Sequence, residues 1–147
     1  MVQHFRAAQD PVYSTVLAEL LAGDKRTHWM WFIFPQLAAL GRSPTAKQYG
    51  LADLDAARAY LADPVLGGRL RDCVATVLAT GERTGRSAHD ILHAPDDLKL
   101  RSCLTLFEAA ASGDDRVIFS RGLTHFYGGE RDRLTLDLIG GGATPDR

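Results

Sequence analysis

Apolar residues recur along this chain at spacings of three and four, and no stretch alternates strictly between apolar and polar, so the pattern predicts helices and no strands. The first clear stripe is Val16, Leu17, Leu20 and Leu21. Asp10-Pro11 ahead of it supplies a cap and a proline suited to a first turn, and Gly23 can close the segment in a left-handed conformation, which predicts a helix over residues 11–22. Ser43-Pro44 and Asp63-Pro64 repeat the cap-then-proline signal, and Asp53 precedes Leu54, Ala57 and Leu61, so three further helices should start at those points. After Pro64 the stripe Leu66, Leu70, Cys73, Val74 and Val77 is the clearest in the chain and should end at Gly81.

Residues 81–86 read as a polar, glycine-punctuated connection, and Ser87 as the cap of a short helix carrying His89 and His93. Pro95 should open a long helix with Leu100, Cys103, Leu104, Phe107 and Ala111 on one side, ended by Ser112-Gly113. Asp97 and Arg101, four apart on it, are placed to pair. Two last helices are expected, one with Phe119, Leu123, Phe126 and Tyr127 on one face and one over Arg131–Ile139. The run from Thr27 to Phe34 has no clean period, and its helical surroundings favour a short helix ending near Pro35. The fold class predicted is therefore all-α, an irregular bundle of about seven or eight helices. A single domain would span residues 1–139, with a disordered glycine-rich tail at 140–147.

Composition narrows the function classes. Apolar residues at 46% and charged residues at 24% are ordinary for a globular domain. Seventeen basic against eighteen acidic residues leave a formal charge of -1; no basic footprint for nucleic acid or for an anionic membrane is present. Cys73 and Cys103 fall on apolar stripes without metal-type spacing and read as free buried thiols of a reducing compartment. No signal-peptide pattern and no long apolar span occur, so the expected location is cytoplasmic.

The candidate chemistry is concentrated in Lys25-Arg26-Thr27-His28-Trp29-Met30-Trp31-Phe32-Ile33-Phe34-Pro35-Gln36, which holds both tryptophans. Aromatics edged by Lys, His and Gln can wall a pocket where a planar ligand stacks and its polar ends are fixed. The same aromatics in a helical protein are more often core, and both readings stand at this point. Lys99, Ser102 and Thr105 can share a helix face and offer an ammonium and hydroxyls to an anion, although a solvated face with the same spacing is the favoured reading. His89 and His93 have two-His metal spacing but lack an evident third ligand, and they read as surface residues. His125 and Tyr127 beside Gly128-Gly129 read as a helix end. No Walker loop, dinucleotide fingerprint, nucleophile elbow or zinc ribbon occurs, so no cofactor and no metal is indicated.

The block Lys25-x-x-His28-Trp29-Met30-Trp31-Phe32-x-Phe34-Pro35-Gln36, followed by Gly41-x-Ser43 and Tyr49, resembles the opening block of the bacterial family of domain of unknown function 1810. The resemblance continues through Tyr60-Leu61-x-x-Pro64-x-Leu66-Gly67-x-Arg69-Leu70, then Asp97-x-Lys99-Leu100-Arg101-Ser102-Cys103-x-Thr105-Leu106-Phe107, and Gly129-x-x-Asp132-x-x-Thr135-Leu136. It implies an all-helical fold and no assigned reaction. That family usually carries a second serine where this chain has Cys103, which argues against an essential nucleophile there. The label "calpastatin" borne by some members does not fit a core-forming chain without repeats.

The best-supported expectation is a small-ligand site, binding or catalytic, for a planar, anionic, nucleotide-like molecule, drawing on Lys25, His28, Trp29, Trp31, Phe34, Gln36, Lys99 and Ser102. The alternative is a protein-interaction or self-association module that exposes the same aromatic block. Whether the chain is an enzyme, and its oligomeric state, are left open by these residues.

Overall fold

The computed structural model describes residues 3–140. Among them are ten α-helices: α1 Gln3–Gln9, α2 Tyr13–Ala22, α3 Met30–Ile33, α4 Pro44–Gln48, α5 Leu54–Ala62, α6 Pro64–Thr84, α7 Ala88–Leu92, α8 Asp96–Ala110, α9 Val117–Tyr127 and α10 Arg133–Gly140. The all-α class expected from the pattern holds, with a few more helices than the expected number. Single 3-10 turns lie at Ala38–Leu40 and Gly113–Arg116, and the β pairing among the described residues is one parallel bridge between Leu37 and Leu51. Apart from Gly140, at the end of α10, the expected disordered tail falls outside the described residues.

α6 and α8 form the middle of the bundle, and both pack against α5 and α9. α2 lies along α6, and α10 crosses α8. Tyr60, Leu70, Cys73, Leu104, Phe107 and Phe119 are sealed in one continuous core, with Tyr60 against Phe107 and Phe107 against Phe119 at ring separations of 5.5 and 6.0 Å. The α5–α6 elbow is tight: Asp63 ends one helix and caps the next through Val65 N (3.0 Å) and Leu66 N (2.9 Å). Gly67 is required there, since a Cβ would sit 2.2 Å from Leu61 O. Burial pushes the Cys73 thiol up to about 12 and Cys103 well above the usual thiol range, so neither is a nucleophile at neutral pH. No helix among the described residues is long and apolar enough to cross a membrane.

Local cap signals formed where they were expected. Ser43, Asp53 and Asp63 each accept from a backbone N–H of the helix they precede, Ser87 and Asp90 form a reciprocal capping box, and Gly23 closes α2 at φ 74°. Three expectations are corrected. Asp10-Pro11 starts no helix; Asp10 instead pairs with Arg69 at 2.8 Å, and α2 begins at Tyr13. Gly81 does not end α6, because the glycine serves close packing: a Cβ there would meet the Phe126 ring at 2.7 Å, and the helix runs on to Thr84 before Gly85 closes it. Arg101 does not pair with Asp97; its guanidinium turns to Glu130 (3.6 Å) and Asp132 (3.9 Å) across α8 and covers the Tyr127 ring.

α1 carries no stripe in the sequence, yet it is anchored. Phe5 is buried edge-on to Tyr60, and the buried Gln9 amide donates to Phe32 O (2.6 Å) and Tyr60 OH (3.0 Å) while accepting from Arg69 (3.2 Å). A fully satisfied buried amide of this kind ties four chain segments together without leaving an unpaired polar atom.

Candidate functional site

The 24–29 loop is shaped from the last turn of α2. Glu19 is nearly buried, and its carboxylate gathers Arg26 N (2.9 Å), Thr27 N (3.2 Å), Thr27 Oγ1 (2.8 Å) and Trp29 Nε1 (2.9 Å). Burial alone would raise its pKa; the four donors win and hold the group down to about 2. The loop is then tied to α7 and the start of α8. Lys25 N donates to Ile91 O at 2.7 Å, and Lys25 Nζ reaches Asp96 (3.0 Å) and Thr27 O (2.7 Å) while lying 4.9 Å over the Trp29 ring. The Lys25 side chain is only 8% exposed, so these partners are needed to offset its desolvation.

Trp29 (1% exposed) and Phe34 (1%) therefore belong to the core, as do Met30 and Ile33. Their burial corrects two parts of the sequence reading: neither ring offers an open stacking face, and the aromatic block does not form an exposed patch. Trp31 is different. It is only partly buried, and Lys99 Nζ from α8 lies 5.7 Å over its ring.

Two hollows open on either side of that pair. The smaller, about 360 Å³, lies between the 25–31 loop and the 92–96 loop, and Lys25, Arg26, His28, Trp31, His93, Asp96 and Lys99 contribute to its walls. The larger, about 510 Å³, has Leu98, Lys99, Arg101 and Ser102 of α8 as its floor, Gln36 and the Leu40–Ser43 segment on one side, and Asp132 and Leu134 on the other. A narrow cleft lined by Trp31, Phe34, Gln36 and Lys99 lies between them, so Lys99 borders every part of the groove. The side wall is rigid for a local reason. The Leu37–Leu51 bridge, with Leu51 N on Gln36 O (2.9 Å) and Ala38 N on Leu51 O (2.8 Å), brings Gly50 so close to Ala38 that a Cβ would lie 2.3 Å from its Cα.

Of the residues singled out from the sequence, Lys25, His28, Trp31 and Lys99 meet at the smaller hollow, and Gln36, Lys99 and Ser102 at the larger. Ser102 and Thr105 are not on a solvated face. Both are buried, bond back to Leu98 O (3.3 Å) and Arg101 O (2.8 Å), and Thr105 Oγ1 also accepts from Asp132 N (3.0 Å), because the start of α10 covers this part of α8. His89 and His93 do not share a helix face. α7 ends at Leu92, and the two rings go to separate carboxylates, Asp97 (3.3 Å) and Asp24 (2.8 Å).

Several groups in the groove escaped the sequence reading. Arg42 and Arg101 border the larger hollow, and Asp96 neutralises Lys25 and reaches Lys99 at 3.7 Å. The four-residue spacing points Arg101 to Asp97, and Arg42 is the unspecified position of Gly41-x-Ser43. His93 was missed as backbone: its φ of 68° and ψ of 170° lie in a region that essentially only glycine occupies, and a side chain held there carries strain of order 1–3 kcal/mol. Such strain is found preferentially at functional sites, and His93 forms part of the smaller hollow.

Comparison with known proteins agrees with the fold and adds no activity. The family described as "Protein of unknown function (DUF1810)" matches residues 1–139. The chain is similar to the conserved hypothetical protein Rv1873 from Mycobacterium tuberculosis, known from a crystal structure, with 47% identity and a TM-score of 0.89 over 95% of this chain and 96% of that one. No curated protein matches the sequence.

Proposed function

The chain belongs to the DUF1810 family of proteins of unknown function, and from that premise we propose that the groove around Lys99 binds a small, planar, anionic molecule of the nucleotide type. The observation that carries the reading is Lys99 itself, an ammonium 5.7 Å over a partly exposed tryptophan at the junction of two hollows. Stacking needs an accessible aromatic ring and anion recognition a nearby cation; Lys99 is held only by a long 3.7 Å pair with Asp96, a carboxylate that Lys25 already grips at 3.0 Å.

Charge supports the same class. Lys25, Arg26, Arg42, Lys99 and Arg101 border the two hollows against the carboxylates Asp96 and Asp132, in a chain whose net charge is -1. Leu40, Leu98 and Leu134 add the apolar wall that small-ligand sites usually have, and Leu98 and Leu134 are more than half exposed.

Intrinsic fluorescence tests the reading directly, because Trp29 is sealed and Trp31 is not. A panel of nucleotides and other planar phosphates and carboxylates is expected to produce a saturable change that Trp31→Phe removes. A response absent from the whole panel, in fluorescence and in calorimetry alike, overturns the proposal.

A further inference from the structure

We infer that the two hollows are separate subsites for one ligand: the phosphate end seats in the larger hollow, against Arg42 and Arg101, and the planar group seats against Trp31. This rests on the function proposed above and assigns its parts.

The assignment follows from which cations are already neutralised. At the smaller hollow Lys25 is paired with Asp96 at 3.0 Å, Arg26 with Asp24 at 3.2 Å, and His93 lies 2.8 Å from the same Asp24. An anion arriving there would have to displace pairs at close range. At the larger hollow Arg42 has no ion-pair or hydrogen-bond partner among the described residues, and Arg101 reaches its two carboxylates only at 3.6 and 3.9 Å. Arg101 also carries a buried Nε–H with no acceptor among the described residues. The sealed Nε–H is not itself the contact, but a guanidinium left with one unsatisfied donor and two long carboxylate approaches holds its remaining N–H groups available to an oxyanion in the hollow it borders.

Asp132 borders the same hollow, but its Oδ2 is taken by Thr135 N (3.0 Å) and Thr135 Oγ1 (2.5 Å) as the cap of α10. Lys99 stands at the boundary and faces both ends of the ligand. A hollow of about 510 Å³ has room for a diphosphate or a phosphorylated sugar, so the class indicated is a planar group carrying a phosphoryl arm.

Five probes separate the parts in calorimetry on the full chain. Adenosine and 1-naphthol present a planar group without an anion, ADP and 1-naphthyl phosphate the same groups with one, and pyrophosphate the anion alone. The phosphorylated member of each pair is expected to bind about tenfold or more tightly than its neutral partner, with an affinity that falls as salt rises. Arg42→Gln, at an exposed position that should not disturb folding, is expected to lower ADP and pyrophosphate affinity about fivefold to tenfold and to leave adenosine unchanged. Trp31→Ala is expected to do the reverse, weakening adenosine and sparing pyrophosphate.

Phosphorylated probes that bind with affinities indifferent to Arg42→Gln and Arg101→Gln overturn the subsite assignment and leave the ligand reading standing. Silence from all five probes overturns this inference, and the ligand reading falls with it only when the wider panel of planar phosphates and carboxylates is silent as well.

Discussion

Trp29 and Trp31 are separated by one residue, yet the fold uses them in opposite ways. Trp29 is sealed, its indole N–H held by the Glu19 carboxylate and its face covered by the Lys25 ammonium that Asp96 also grips. Trp31 stays partly open, with a lysine above it that has only a 3.7 Å approach to a carboxylate. Each indole thus lies under a lysine, but in one case every group is spoken for and in the other it is not. A cation beside an aromatic ring is therefore locked in place or left available according to what else the cation touches.

The sharpest way to break this contrast is by deletion. Trp29→Ala is expected to cost about 3–5 kcal/mol in urea unfolding, because it opens a cavity in the core and strips the Glu19 carboxylate of a donor. Trp31→Ala is expected to cost far less; equal losses would erase the distinction between core and wall.

Glu19→Gln comes next. The carboxyl is held at about 2 against an ordinary value of 4.5. Its contribution, roughly 3 kcal/mol by linkage, is fully present above about pH 4.5 and disappears as pH falls toward 2. The variant should lose stability at neutral pH and show a flatter acid limb between those values in a pH series of denaturant unfolding. An unchanged acid limb would mean that other carboxylates control it.

Lys99→Met is expected to lower the affinity for ADP about tenfold while shifting stability by less than about 1 kcal/mol, since its ion pair is long and partly exposed. A large stability loss with no change in binding would move Lys99 to the structural side with Lys25. The smallest effect is spectroscopic. With Trp31 replaced by Phe the remaining emission should be blue-shifted and nearly insensitive to iodide; with Trp29 replaced by Phe it should be quenched readily.

How much of this could be read from the chain depended on distance along it. Caps at Ser43, Asp53, Asp63 and Ser87 were legible because cap and partner are two or three residues apart. Asp10 carries the same local signal yet starts no helix, since its partner Arg69 is 59 positions away. Gly81 looks like a stop and is a packing surface for a ring on α9. In the groove, residue type pointed to Trp31, Lys99, His28 and Gln36, and the fold does bring them to its walls. Residue type favoured core for the aromatic block as a whole but could not separate Trp29 from Trp31, because what seals Trp29 is a carboxylate ten residues earlier, on α2. Arg42 and Arg101 became visible only when α4, α8 and α10 were placed around one space.

The backbone at His93 gives the 92–96 wall a property of its own. Residue 93 sits in a conformation that resists a side chain, so the native wall is held uphill by the contacts around it. Returning to negative φ would mean giving up those contacts, the 2.8 Å bond from the His93 ring to Asp24 among them, so this stretch of chain is pinned in one shape.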